Sequence, residues 1–179
     1  MRIIAAVSVD GAIGEDNNLL WHISEDFKRY KSKTTGNILI VGRKTYESLP
    51  LIALQNRTHI VITSNKTQIN IPNDYDIHIT DSIEEAIAKT EKIKTINQEI
   101  YVIGGSQLYE KMIDFCDVLE ITWINKIYNN ANKYFPIEKI MTNFKLVNGE
   151  DWMKSTKGLL YKFNTYSKNK IWEKLTNSH

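Results

Sequence analysis

The chain has 179 residues, of which 42% are hydrophobic and 25% charged, the balance of a single water-soluble globular domain. With 23 basic and 21 acidic residues the net charge is +2, too even to point to nucleic acid or an anionic membrane as partner. The single cysteine, Cys116, excludes an internal disulfide, and its apolar setting of Ile113, Phe115 and Val118 reads as a buried structural thiol.

Arg2 to Val9 is apolar and β-leaning, which predicts a buried N-terminal strand. It is too short for a signal peptide or a membrane span, so a reducing cytoplasm is expected. Asp10 to Asn18 is rich in Gly, Asp and Asn, and its length suits a functional lid. Ser24 is a candidate N-cap for a helix in which Ile23, Phe27 and Tyr30 share an apolar face and Asp26 lies in the first turn. An acid there ordinarily complements the helix dipole. Trp21 just before it and the aromatics after it put this acid in apolar company, where desolvation disfavours its charged form. Such a carboxylate is suited to accept two parallel hydrogen bonds from the amidine-like edge of a heterocycle. The helix is expected to end between Thr34 and Asn37, with Gly36 free to take a positive φ.

Ile38 to Val41 reads as a central strand. Gly42-Arg43-Lys44-Thr45 then opens a short helix: either an anion site made of helix amides and cations, or an ordinary turn with solvated charges. Leu49 to Arg57 is a loop in which Asn56 suits a left-handed position. Thr58 to Thr63 and Tyr75 to Thr80 are expected strands, and Ser82 with Glu85 forms a capping box for a helix burying Ile83, Ala86 and Ile87. Ile100 to Ile103 is a buried strand, followed by Gly104-Gly105-Ser106-Gln107 and a helix through Ile113. The G-x-G-x-x-G pattern is absent, yet paired glycines at a strand end let a backbone approach a pyrophosphate. Asp117 to Ile124 is a strand bearing Thr122, and Phe144 to Val147 and Leu159 to Tyr166 are late strands that close the sheet antiparallel. The four histidines show no ligand spacing, so no metal site is expected.

Taken together, Leu20-Trp21 followed by Asp26, ILIVGRKTYES at 38–48, Arg57, IYVIGGSQLY at 100–109 and Thr122 resemble dihydrofolate reductase, in order and from Ile3 to about Tyr166. The resemblance implies a single-domain α/β fold over 1–167, with a mixed, mostly parallel central sheet, antiparallel C-terminal strands and flanking helices. Residues 168–179 would be an extension, with Ile171, Trp172 and Leu175 on one side of a short helix. The implied activity is NADPH-dependent reduction of 7,8-dihydrofolate, hydride reaching C6 and a proton N5, with the cofactor carrying the hydride chemistry. A monomer acting on this small molecule is expected.

By the same resemblance Asp26, Trp21 and Thr122 are the catalytic set: Asp26 accepts from N3 and the 2-amino group, Thr122 bonds Asp26, and Trp21 holds a water near N5. Ile4, Ala5, Phe27, Tyr30, Leu49 and Ile103 would wall the substrate, and Arg57 would pair with the α-carboxylate of its glutamate tail. Ala6, Ile13, Gly14 and Leu19 would lie at the nicotinamide. Gly42, Arg43, Lys44 and Thr45, then Thr63 and Ser64 with Lys66 nearby, would hold phosphates. Gly104, Gly105, Ser106, Gln107 and Tyr109 would form the cofactor turn, which in the family often has a cis peptide between the glycines. Three positions depart from the family pattern: Leu20 replaces a common proline, Asn56 a glycine and Gln107 a basic residue. The alternatives are a pyrimidine reductase of riboflavin synthesis, against which the Trp21–Asp26 pair speaks, and a non-catalytic nucleotide-binding protein on the same scaffold, against which the set of Asp26, Arg57 and Thr122 speaks.

Overall fold

The continuous apolar runs form the middle of one sheet, as residues buried on both faces must. The structure, a computed structural model, describes residues 1–16, 18–65, 69 and 71–169, apart from the side chains of 51 and 54. Lys66 and the apolar residues of the extension, Ile171, Trp172 and Leu175, lie outside the described residues.

In chain order, β1 (Arg2–Ser8) and the short β2 (Ala12–Gly14) precede α1 (Ser24–Thr34), β3 (Ile38–Gly42), α2 (Arg43–Ser48) and α3 (Leu51–Leu54). Then come β4 (Thr58–Ile62), β5 (Asp76–Thr80), α4 (Ile83–Ile93), β6 (Ile100–Val102) and α5 (Ser106–Met112), which runs into a 3-10 turn at Ile113–Phe115. The chain continues through β7 (Val118–Ile124), β8 (Lys133–Tyr134), α6 (Ile137–Asn143), β9 (Phe144–Gly149), β10 (Met153–Lys154) and β11 (Leu160–Lys168).

Among the described residues the main sheet runs β10-β11-β7-β1-β6-β3-β4-β5, with β9 also on β11. Pairing is parallel from β7 through β5, and β11 adds antiparallel to β7, β9 and β10. One sheet face is filled by Ile3, Ala5, Val7, Ile38, Ile40, Leu119 and Ile121 under residues of α4, α5 and α6. The other carries Ile4, Leu39, Val41, Val61, Tyr101 and Ile103 with Tyr46 of α2, Tyr30 of α1 and Leu49. Cys116 is fully buried in the first of these clusters.

Several boundaries differ from the sequence reading. Ser24 is the first helical residue of α1, not its cap; Ile23 holds the cap position, extended at φ −121°, and no side chain caps the helix. Ile23 is buried on another cluster, with Trp21 and Ile124, which fixes the chain's entry into α1 by packing instead of by a hydroxyl. The 49–57 loop contains the short α3. The segment expected to be a loop from Asp10 to Asn18 contains β2, which pairs antiparallel with β8. As expected, Gly36 has φ +80° and Asn56 φ +56°, and Ser82 Oγ accepts from Glu85 N at 3.1 Å.

Candidate active site

The carboxyl ends of β1, β3, β6 and β7 lie side by side, where open parallel sheets bind ligands. Two sets of side chains meet there. On β7, Thr122 faces Ala6 of β1 in register, and its Oγ1 donates to Asp26 Oδ1 at 2.6 Å. Asp26 stands in the first turn of α1. Burial pushes its carboxyl above the ordinary carboxylate range, while the Thr122 hydrogen bond and the Arg29 charge pull the other way. Trp21 is buried against Ile23, Ile124 and Tyr161, with its ring 5.3 Å from that of Tyr128. Ile4 and Ile103 are buried on the same sheet face, with Tyr30 and Leu49 packed against them. Ala5 is buried on the opposite face. Phe27 is 40% exposed, its ring 4.9 Å from that of His22.

The second set surrounds the paired glycines. Gly42 N donates to Gly104 O at 2.8 Å, so the ends of β3 and β6 touch. The Gly104–Gly105 peptide is cis. A Cβ on Gly105 would come 3.0 Å from Thr45 Oγ1, and one on Gly104, at φ +101°, would come 2.9 Å from the Tyr109 ring. Only glycines let these turns approach so closely. Tyr109 is buried and donates its hydroxyl to Ile4 O at 3.0 Å, tying this turn to β1. Ser106 and exposed Gln107 begin α5.

Around these glycines the polar groups are arranged less uniformly. Arg43 Nη1 reaches both carboxylate oxygens of Glu47 at 2.9 Å, one turn along α2, whereas Lys44 is exposed. Thr63 is buried at the end of β4, its hydroxyl accepting from Asn65 N at 3.1 Å, and Ser64 is exposed. Ile13 and Gly14 lie on β2, but Leu19 is 65% exposed. The backbone approach, the helix amides and the two cations suit a phosphate-bearing dinucleotide.

Arg57 is buried without a carboxylate partner among the described residues. Its Nε donates to Thr34 Oγ1 at 2.9 Å, Nη1 to Gln55 O at 2.7 Å and Nη2 to Thr35 Oγ1 at 3.2 Å, and the guanidinium lies 5.6 Å from the Tyr30 ring centroid. On its outer side a polar hollow of about 670 Å³, lined by Gly36, Asn56, Thr58, Asp74 and Asp76 among others, opens at the amino ends of β3, β4 and β5. It lies at the other end of the strands from the glycine turns.

Sequence reasoning missed Arg29 and Glu120, which join in the interior 2.5 Å apart. The available signals were spacing alone: Arg29 is three residues after Asp26, and Glu120 two before Thr122.

Residues 1–168 match the family model described as dihydrofolate reductase. The chain belongs to the dihydrofolate reductase family. A dihydrofolate reductase of Bacillus subtilis is 33% identical over 169 residues, 94% of each chain. The bifunctional dihydrofolate reductase-thymidylate synthase of Paramecium tetraurelia is 32% identical over 90% of this chain; the chain spans about a third of that longer protein (33%). Among solved structures, the dihydrofolate reductase of Enterococcus faecalis complexed with NADP(H) superposes with a TM-score of 0.78 at 31% identity, covering 94% of this chain and 95% of its own. The mixed sheet with its antiparallel end is thus that of the dihydrofolate reductase fold.

Proposed function

We infer that this chain reduces 7,8-dihydrofolate to 5,6,7,8-tetrahydrofolate with NADPH. The observation that carries the reading is the Asp26–Thr122 pair, a recessed carboxylate held at 2.6 Å on β7, in the same sheet whose strands β3 and β6 end in the glycine turns. Gly42, Arg43, Lys44, Thr45, Thr63 and Ser64, with Gly104 to Gln107 and Tyr109, would hold NADPH, which when bound supplies the hydride. Ala6, Ile13, Gly14 and Leu19 complete the nicotinamide end.

Within this reading Thr122 fixes one oxygen of Asp26 and leaves the remaining acceptor positions for N3 and the 2-amino group of the pterin. Asp26 thereby orients C6 and stabilises the electron-poor ring electrostatically. Trp21 holds the water through which N5 gains its proton. Ile4, Tyr30, Leu49 and Ile103 exclude solvent around the ring, Phe27 covers the mouth, and Arg57 receives the α-carboxylate of the tail in its fork; Ala5, expected from sequence on the same wall, turns its side chain to the opposite sheet face. We further place the enzyme in the cytoplasm, as a monomer acting on a small molecule and without a nucleic-acid partner; the even charge supports this. We take residues 1–167 as the catalytic domain and 168–179 as an extension.

The test follows NADPH absorbance with dihydrofolate and then with the pyrimidine substrate of riboflavin synthesis. Consumption with dihydrofolate alone is expected. Consumption with the pyrimidine alone, or with neither, overturns the reading.

A further inference from the structure

Glu120 is an acid in the middle of a buried strand, and the reaction gives it no task. Its side chain is 2% exposed, with Arg29 Nη2 at 2.5 Å, Lys33 Nζ at 3.1 Å and Arg2 Nη1 at 3.5 Å. Thr165 Oγ1 adds a hydrogen bond at 3.0 Å. Three cations on one carboxylate are more than neutrality needs. Burial alone would raise its carboxyl, but the Lys33 hydrogen bond and the Arg29 and Lys33 charges hold it below the ordinary range. Arg29 is the most enclosed of the three cations, 11% exposed against 29% for Arg2 and 41% for Lys33. Its guanidinium lies 4.7 Å from the Phe163 ring centroid, and its buried Nη1 has no acceptor among the described residues.

The packing of α1 on β7 explains the arrangement. Asp26 and Arg29 stand three residues apart on one side of the helix, about 4.5 Å along its axis. Thr122 and Glu120 stand two apart on one face of the strand, about 6.6 Å along it. Helix and strand are therefore laced at two points, Asp26 to Thr122 and Arg29 to Glu120. The second lace brings a buried cation to the flank of the first.

We propose that Arg29, anchored by Glu120 and Phe163, is a positioning residue that keeps Asp26 ionised for the pterin edge. This rests on the reading of Asp26 given above. The other charged or titratable groups facing the pair are Glu25, Tyr30 and Lys33 of α1, Arg2 of β1, Tyr101 of β6, Tyr109 of α5 and Tyr161 of β11. Burial raises all four phenols, Tyr30 to about 12, so they stay neutral through the pH range in question.

The experiment is a carboxyl-carbon NMR titration of Asp26, its resonance assigned by its loss in Asp26→Asn, in wild type, Arg29→Met, Arg29→Lys and Glu120→Gln. Arg29→Met should move the midpoint up by about one pH unit, the scale of one close opposite charge. Arg29→Lys, which keeps the charge, should restore most of that shift. Glu120→Gln should move the midpoint down, since Arg29 then faces Asp26 with less compensation. An unmoved or lowered midpoint in folded Arg29→Met overturns the proposal. If that variant does not fold, an unmoved or raised midpoint in Glu120→Gln does so instead. A purely structural Arg29 would change thermal stability and the dihydrofolate KM without moving any midpoint. The titration observes Asp26 whether or not a ring binds there, so failure of the pterin-edge reading, seen as undiminished turnover in Asp26→Asn, is separable from failure of the Arg29 proposal.

Discussion

His59 on β4 is fully buried. Burial, then the Arg57 charge two residues earlier, lowers its pKa to about 4. The unfolded chain would take up a proton here near pH 6.5, whereas the folded chain resists until about 4. Stability is therefore untouched above that window and falls as pH drops through it, by up to about 3 kcal/mol, with no further loss below it. His59→Leu should flatten the acid limb of a urea-unfolding series between these pH values; an unchanged limb would remove His59 as its cause. Arg57 gives a second prediction at this scale. Arg57→Ala should weaken dihydrofolate binding while sparing a pterin that lacks the glutamate tail, and equal losses for both ligands would take Arg57 out of the site. It should also cost about 1–2 kcal/mol of stability, because Thr34, Thr35 and Gln55 lose its donors. Position in the sequence pointed to Arg57, but nothing local showed that it is buried. His59 was legible only as a histidine without ligand spacing, because its burial depends on β3 and β5 pairing on either side of it.

Elements were most legible where pattern and local chemistry agreed. The apolar runs became β1, β3, β6 and β7, and Ser82 capped α4 as its spacing predicted. Alanine at Ser82 should cost about 1 kcal/mol in chemical denaturation. The start of α1 was misread because a buried Ile23 settles it through long-range packing, which a capping rule does not see. Short β2 and β8 were missed because pieces of three and two residues carry no periodicity and exist through pairing with each other. At the glycine turn the sequence reading and the geometry coincide, which makes it a sharp test of element placement. Gly105→Ala puts a methyl group 3.0 Å from Thr45 Oγ1 and should force α2 and α5 apart. NADPH affinity measured by fluorescence should fall about tenfold, equivalent to about 1.4 kcal/mol, and an unaltered affinity would show that this approach does not serve the cofactor.

Across the whole molecule, the parallel strands bring their carboxyl ends to one rim, and α1 lays Asp26 over β7 at that rim. The antiparallel β11 seals the far side of β7 and supplies Phe163 and Thr165 opposite Thr122 and Glu120. The order of motifs made the fold class legible from sequence and pointed to Asp26, because those residues sit inside recognisable runs. The buried charge network was not, because Arg2, Arg29, Lys33, Glu120 and Thr165 come from four separate elements and meet only after the sheet closes. If the recessed carboxylate at position 26 orients the pterin, its removal must show in steady-state turnover of dihydrofolate by Asp26→Asn at neutral pH, with NADPH affinity as the control for folding. A fall of about a hundredfold or more with NADPH binding intact is the expected result; turnover near wild type would contradict the account.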